Sequence, residues 1–66
     1  MEKGIIKSYD RDSGGGTISR LGDIDVRFNA TRVIGNRNDL KAGDPVWFEV
    51  QVMQSNHVAI NIRKCL

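Results

Sequence analysis

The sequence has few of the residues that crosslink a small domain. Its 66 residues include one cysteine, Cys65, so an internal disulfide is excluded and no cysteine pair is available to hold zinc. Cys65 has no histidine near it in the sequence to activate the thiol, so we expect a reducing compartment and no catalytic role for it. A chain of this length buries only about 60% of its unfolded surface, so we expect one compact domain over residues 1–66.

Long apolar segments are also missing. No run approaches the roughly 18 residues of a membrane span, and residues 1–4 lack the basic-then-apolar pattern of a signal peptide. We therefore expect a cytoplasmic protein without a membrane partner. Charge of one sign is not in large excess, because ten Lys and Arg oppose eight Asp and Glu. The net charge of +2 permits a nucleic-acid partner without requiring one.

Catalytic and cofactor motifs are not found in the sequence. Residues 14–16 are three glycines, but no Lys-Ser/Thr pair and no helix pattern follows, which excludes a P-loop. A tight turn is the better interpretation, and phosphate binding by exposed backbone N–H groups is the alternative. His57 has no second ligand at metal spacing, and no nucleophile is paired with a base. We expect no enzyme activity, no cofactor, no metal and no small-molecule substrate.

Short alternating runs separated by turn residues dominate the chain. They cover residues 3–10, 17–21, 24–28, 46–53 and 57–63. Apolar and polar side chains alternate with period two in the later runs, whereas the adjacent Ile5 and Ile6 blur the alternation of the first. The connection over residues 29–45 contains only brief turns, the first capped by Asn29.

Five strands with one apolar face each need a cover, and no helix is available. A sheet that closes on itself solves this and removes exposed edges. The sequence therefore predicts an all-β fold, a five-stranded antiparallel barrel of the oligonucleotide-binding (OB) type. Its expected inner layer is Ile6, Ile18, Ile24, Val26, Phe28, Val46, Phe48, Val50, Val58, Ile60 and Ile62.

Six segments in order give the chain a resemblance to the bacterial cold-shock proteins. Residues 4–9 resemble that family's first strand, and residues 13–18 and 25–28 stand at its two ribonucleoprotein motifs, the second followed by a family-like Asn29-Ala30. Residues 40–43 and 46–50 resemble the fourth-strand entry, and residues 59–62 resemble the last strand. The resemblance implies an OB barrel that binds single-stranded RNA or DNA by stacking bases on surface aromatics.

Most of those surface aromatics are replaced in this sequence. Ser8 stands where the family has tryptophan, Gly15 and Thr17 where it has two phenylalanines, Asp25 where it has an aromatic and Arg27 where it has histidine; Tyr9 and Phe28 remain. Stacking contributes about 1–3 kcal/mol per base. We therefore expect weaker binding than in an aromatic-rich relative.

The leading hypothesis is a weak, low-specificity module for single-stranded RNA or DNA, acting as an RNA chaperone or a regulator of gene expression. Its expected contact residues are Lys7, Ser8, Tyr9, Arg11, Gly15, Thr17, Arg27, Phe28, Arg37 and His57. Arginine can stack on bases and bind phosphate. The alternative is that Lys7, Arg11, Arg20, Arg27 and Arg37 are solvated partners of Asp10, Asp12, Asp23 and Asp25.

A second hypothesis is an interaction module that has lost nucleic-acid binding. Alternation places Trp47 on the outer face of the fourth strand, where an exposed tryptophan often marks a contact surface. Together with Met53 and Val33 or Ile34, it would form an apolar patch for a homodimer or another protein. The alternative is that the long connection partly covers the ring.

Overall fold

The computed structural model describes residues 1–65 and contains five strands. These are β1 (Glu2–Tyr9), β2 (Gly15–Arg20), β3 (Val26–Asn29), β4 (Pro45–Met53) and β5 (Asn56–Lys64). They form a closed barrel in the order β1-β2-β3-β5-β4, which confirms the predicted OB-type architecture. The long connection carries two single 3₁₀ turns, Ala30–Arg32 and Arg37–Asp39. Within residues 1–65, no helix is long and apolar enough to cross a membrane.

One pairing of the barrel is parallel. Four neighbouring strand pairs are antiparallel, whereas β3 lies parallel to β5 with Arg27 opposite Val58. Strand direction cannot alternate around a ring with an odd number of members, so a closed five-stranded barrel needs at least one parallel pair. The predicted antiparallel barrel therefore contains one parallel pair, at its closure.

Most of the expected inner layer is buried. The core consists of side chains from all five strands and one from the long connection: Ile6, Ile18, Val26, Phe28, Leu40, Val46, Phe48, Ala59 and Ile62. Val50 is half-buried and packs against this core.

Ile24 was expected in the core and is 68% exposed. The strand begins two residues later than predicted, at Val26, because the preceding segment is a loop. Gly22 has a positive φ of 75° there, and the Ile24 backbone N–H donates to Asp23 Oδ1. The apolar alternation of the sequence thus continues into a turn that does not face the interior.

The apolar alternation of β5 is broken by a bulge. Trp47 lies opposite Arg63 and Glu49 opposite Ile60, so an extra residue is inserted in β5 between these pairs. Asn61 lies in the bulge with φ 51°, a left-handed conformation that asparagine tolerates better than most residues. Because of the extra residue, Ala59 and Ile62 are fully buried. Val58 and Ile60, both expected in the core, are only half-buried.

A second bulge lies in β1. Ile6 pairs with Ile18 and Ser8 with Thr17, so Lys7 has no partner position on β2. Both Lys7 and Ser8 are exposed as a result. The bulge changes the direction in which the side chains at the end of β1 point. This end of β1 leads into the candidate functional site.

The left-handed conformation of Asn61 yields a stability prediction. Asn61→Gly should leave the free energy of unfolding nearly unchanged, whereas Asn61→Val should lower it by about 1–3 kcal/mol because a β-branched residue is strained at positive φ. Urea unfolding measures both. Gln51→Val, an exposed change on the neighbouring strand, is the control and should have little effect. Equal stability of the valine and glycine variants at position 61 would contradict the bulge.

Candidate nucleic-acid interface

The end of β1 and the start of β2 border a shallow concavity of about 400 Å³. Strand register builds it, because Ser8 lies opposite Thr17 and Thr17 lies opposite Arg27. The β1–β2 turn forms its rim. The concavity is lined by Ser8, Tyr9, Asp10, Ser13, Gly15, Gly16, Thr17, Arg27 and Phe28. Six of the ten predicted contact residues are therefore brought together here.

A second shallow concavity, of about 480 Å³, lies where β3 meets β5. It is lined by Arg27, Phe28, Asn29, Arg32, Met53, Asn56, His57, Val58 and Ala59. Arg27 and Phe28 line both concavities, which makes them one continuous surface. We call the residues that line the two concavities the Arg27 face. It includes His57, which is one of the predicted contact residues.

The two aromatic rings of this face are stacked on each other. The Tyr9 and Phe28 ring centroids lie 5.7 Å apart with an interplanar angle of 26°. Phe28 is 5% exposed and belongs to the core, so it does not offer the open stacking surface that was expected of it. Gly16 explains this burial, because a Cβ there would overlap the Phe28 ring. Tyr9 is half-buried and is the aromatic of this face that retains accessible area.

The glycine-rich turn uses its own amide groups. Gly14 donates its N–H to the carbonyl oxygen of Asp10 at 2.8 Å, with Gly14 at φ 80°. Gly15 donates to the hydroxyl of Ser13 at 3.2 Å. These bonds support the tight-turn interpretation of residues 14–16 over phosphate binding by their backbone.

The arginines of the Arg27 face have no carboxylate partner among residues 1–65. Arg27 is exposed at the junction of the two concavities, and Arg32 lines the second one. Neither side chain forms an ion pair within this described part of the chain. Both guanidinium groups are therefore available to an anion. Arg32 was not predicted from the sequence; its turn is capped by Asn29, whose Oδ1 accepts from the Thr31 N–H at 3.0 Å.

Lys7 is engaged with a carboxylate at the edge of this face. Its Nζ donates to Asp25 Oδ2 at 2.8 Å, and this hydrogen bond raises the pKa of Lys7 above its usual value of 10.5. Lys7 thus stays charged at neutral pH, but Asp25 balances that charge. The solvated-partner alternative therefore holds for Lys7. It also holds for Arg20, which pairs with Glu2 and Asp23 at 2.9 and 3.1 Å.

Three predicted contact residues do not line either concavity: Lys7, Arg11 and Arg37. Arg11 lies in the β1–β2 turn beside the first concavity, between Asp10 and Asp12. Arg37 lies in the second 3₁₀ turn, apart from the lining residues. The arrangement does not group Arg37 with the remaining contact residues.

Trp47 lies outside the Arg27 face and away from Met53. Lys3 on β1 and Arg63 on β5 are its register partners, and the Lys3 Nζ is 5.7 Å from the ring centroid. Met53 is six residues further along β4, a distance of about 20 Å in an extended strand, and it lines the second concavity. The expected patch of Trp47 with Met53 is therefore wrong. Trp47 is 42% exposed, and Val33 packs against the core.

No protein-family model and no curated protein matches the sequence. Solved structures do match, and one is a chain of Drosophila Unr cold-shock domains (Unr CSD456). The alignment has a TM-score of 0.83 and 26% identity, and it covers 98% of this chain. The chain has the fold of a cold-shock domain. It spans about a quarter of the neighbour's length, since the match covers 26% of that chain. The likeness is to cold-shock domains in general and does not single out the bacterial proteins.

The Tyr9 hydroxyl yields a prediction for this cold-shock fold. It is buried without a hydrogen-bond partner among residues 1–65, and an unsatisfied buried hydroxyl destabilises a fold by about 1–3 kcal/mol. Tyr9→Phe should therefore keep or raise the free energy of unfolding. Tyr9→Ala should lower it by about 2 kcal/mol, because the ring packs on Phe28. Denaturant unfolding compares the two, and a clear loss of stability in Tyr9→Phe would contradict the buried, unpartnered hydroxyl.

Proposed function

We propose that this chain binds single-stranded RNA or DNA on the Arg27 face, weakly and with little sequence preference. The observation that carries the proposal is an exposed arginine without a carboxylate partner in residues 1–65, placed where two concavities of a cold-shock fold meet. The role would be that of an RNA chaperone or expression regulator. It would hold strands unpaired and involve no covalent chemistry.

Each part of the face has a chemistry that suits a single strand. The guanidinium groups of Arg27 and Arg32 bind phosphate in a bidentate manner and also stack on bases. Tyr9 offers part of a ring for one base in the first concavity. Hydroxyls from Ser8 and Thr17 are donors and acceptors for sugar or base edges. His57 lines the second concavity, so a strand that crosses Arg27 would contact both sides.

Weak affinity follows from the same residues. Tyr9 is the accessible aromatic of the face, and each absent stacking partner removes about 1–3 kcal/mol. Asp10 lines the first concavity and Asp25 neutralises Lys7, so carboxylates lie close to the path of the phosphates. Two to three phosphate contacts predict a slope of log affinity against log salt of about −1.5 to −2.

Binding should depend on Arg27 in particular. Arg27→Gln should weaken binding of a fluorescently labelled oligo-dT or oligo-U at least about fivefold, because a lost charge-assisted contact costs about 1–3 kcal/mol. Arg37→Gln, the same change off the face, is the matched control and should bind like wild type. Fluorescence anisotropy at low salt measures all three proteins. Absence of saturable wild-type binding, or an equal loss in both variants, would reject the proposed site.

Removal of the carboxylate beside Lys7 should strengthen binding. Asp25→Asn deletes one negative charge and frees the Lys7 ammonium group, so affinity should rise a few-fold and the salt slope should steepen by about 0.7. Asp23→Asn is the matched control, because its carboxylate pairs with Arg20 away from the Arg27 face. If both asparagine variants bind equally tightly, net charge alone sets the affinity and Lys7 is not a contact.

A further inference from the structure

A second surface carries exposed apolar side chains that the Arg27 face does not use. Register places Ile5 beside Pro45 and Lys3 beside Trp47, and Leu21 follows the end of β2. Ile5 is 51% exposed, Leu21 100% and Trp47 42%. Clustered apolar exposure of this kind marks an interaction surface. We call Lys3, Ile5, Leu21, Pro45, Trp47 and Arg63 the Trp47 face.

This face combines a projecting ring with an apolar hollow. The hollow, of about 550 Å³, is lined by the apolar residues Ile5, Leu21 and Pro45 together with Lys3, Gly4, Ser19, Arg20 and Gly22. The Lys3 Nζ lies 5.7 Å from the Trp47 ring centroid. Lys3 therefore borders both the hollow and the Trp47 ring.

Charged groups of both signs border this face. Beside Trp47, Lys3 and Arg63 form no ion pair within residues 1–65. Beside the hollow, the single charge of Arg20 is shared by the carboxylates of Glu2 and Asp23, which leaves that cluster with net charge −1. The two carboxylate side chains are 43% and 55% exposed, so they can meet a further cation.

We infer that the Trp47 face binds a second copy of this chain in a two-fold symmetric dimer. A two-fold interface uses one patch twice, so that patch must be complementary to itself. Here the Trp47 ring of each copy meets the hollow of the other, and Lys3 and Arg63 meet the partner copy's carboxylates at Glu2 and Asp23. Tryptophan and arginine are also the residues most enriched among interface hot spots.

Other occupants match these features less well. A nucleic-acid strand would meet the Glu2 and Asp23 carboxylates together with the cations, and a carboxylate repels phosphate. Binding of an unrelated protein would not require the Trp47 ring, the hollow and charges of both signs to lie together on one face of this chain. A two-fold symmetric dimer does require this. A standard interface buries about 800 Å² per partner, roughly a sixth of this chain's 4511 Å². The Trp47 face as defined has six residues, whereas a standard interface uses about 20–30 a side, so we expect a weak dimer with a Kd in the range of about 1 µM to 1 mM.

Sedimentation velocity over a concentration series up to about 1 mM tests the dimer. The wild type should shift from the 7.4 kDa monomer to twice that mass as concentration rises. Trp47→Ala should remain monomeric. Val52→Ala is the matched control, since it removes an apolar side chain that is 62% exposed near the other end of β4, and it should dimerise like wild type. Circular dichroism verifies that both variants are folded. A wild type that stays monomeric throughout would overturn the inference.

A charge exchange between copies tests the symmetry. Arg63→Glu alone and Asp23→Arg alone each place like charges across the interface, so each should associate at least about fivefold more weakly than wild type. An equimolar mixture of the two variants restores opposite charges at both contacts of a mixed dimer, and it should associate more strongly than either variant alone. A mixture that remains as weak as its components would rule out the two-fold arrangement.

Trp47 fluorescence distinguishes the dimer from a nucleic-acid contact. Trp47 is the single tryptophan of the chain, so its emission reports directly on this face. Oligo-dT should leave that emission unchanged in dilute, monomeric protein, and Trp47→Ala should keep wild-type affinity for the oligonucleotide. Quenching by oligo-dT with loss of affinity in Trp47→Ala would assign the face to nucleic acid and overturn the dimer.

Discussion

The barrel closes where β3 lies parallel to β5, with Arg27 opposite Val58. This closure covers the apolar faces of both strands, which no helix in the described residues can cover. It also decides where the candidate site lies, because the groove between β3 and β5 becomes the second concavity and Arg27 lies at its edge. The Arg27 side chain, which belongs to this closing pair, therefore lines both concavities. Stability and the candidate site depend on the same register.

A core this small leaves little freedom to expose aromatic rings. Phe28 is drawn into the interior, where Gly16 leaves room for its ring and Tyr9 stacks on it. The aromatic pair thus contributes to packing, and the accessible surface around it is supplied by polar and basic side chains. A single strand would meet guanidinium groups more than rings. The affinity of such a surface for a single strand depends strongly on salt concentration and only weakly on base identity.

The strands and the barrel follow directly from the alternation of apolar residues, since a period of two is a local property of the chain. The exceptions depend on non-local features. Ile24 continues the alternation but lies in a loop, and the left-handed conformation of Asn61 shifts the inward positions of β5 to Ala59 and Ile62. Asparagine permits that conformation without requiring it, so no sequence pattern could locate the bulge.

The candidate site was predictable to the extent that strand register could be inferred. Ser8, Thr17 and Arg27 lie on three adjacent strands, and matching their motifs to a barrel places them together. Arg32 lines the same face from a 3₁₀ turn in the long connection. Trp47 lies beside Lys3 and Arg63 and not beside Met53. Those contacts depend on how loops and distant strand ends meet, which alternation does not encode.

Local pairing of charges decides which parts of the surface stay basic, because the net charge of +2 is small. Arg20, Lys7 and Lys64 are balanced by carboxylates, whereas Arg27, Arg32, Lys3 and Arg63 form no ion pair among residues 1–65. These four cations divide between the Arg27 face and the Trp47 face, which have no residue in common. A dimer formed through the Trp47 face therefore leaves both Arg27 faces open. In such a dimer, a strand that is bound at one Arg27 face has a raised effective concentration at the other face. The affinity would therefore increase with oligonucleotide length once the strand is long enough to span both sites.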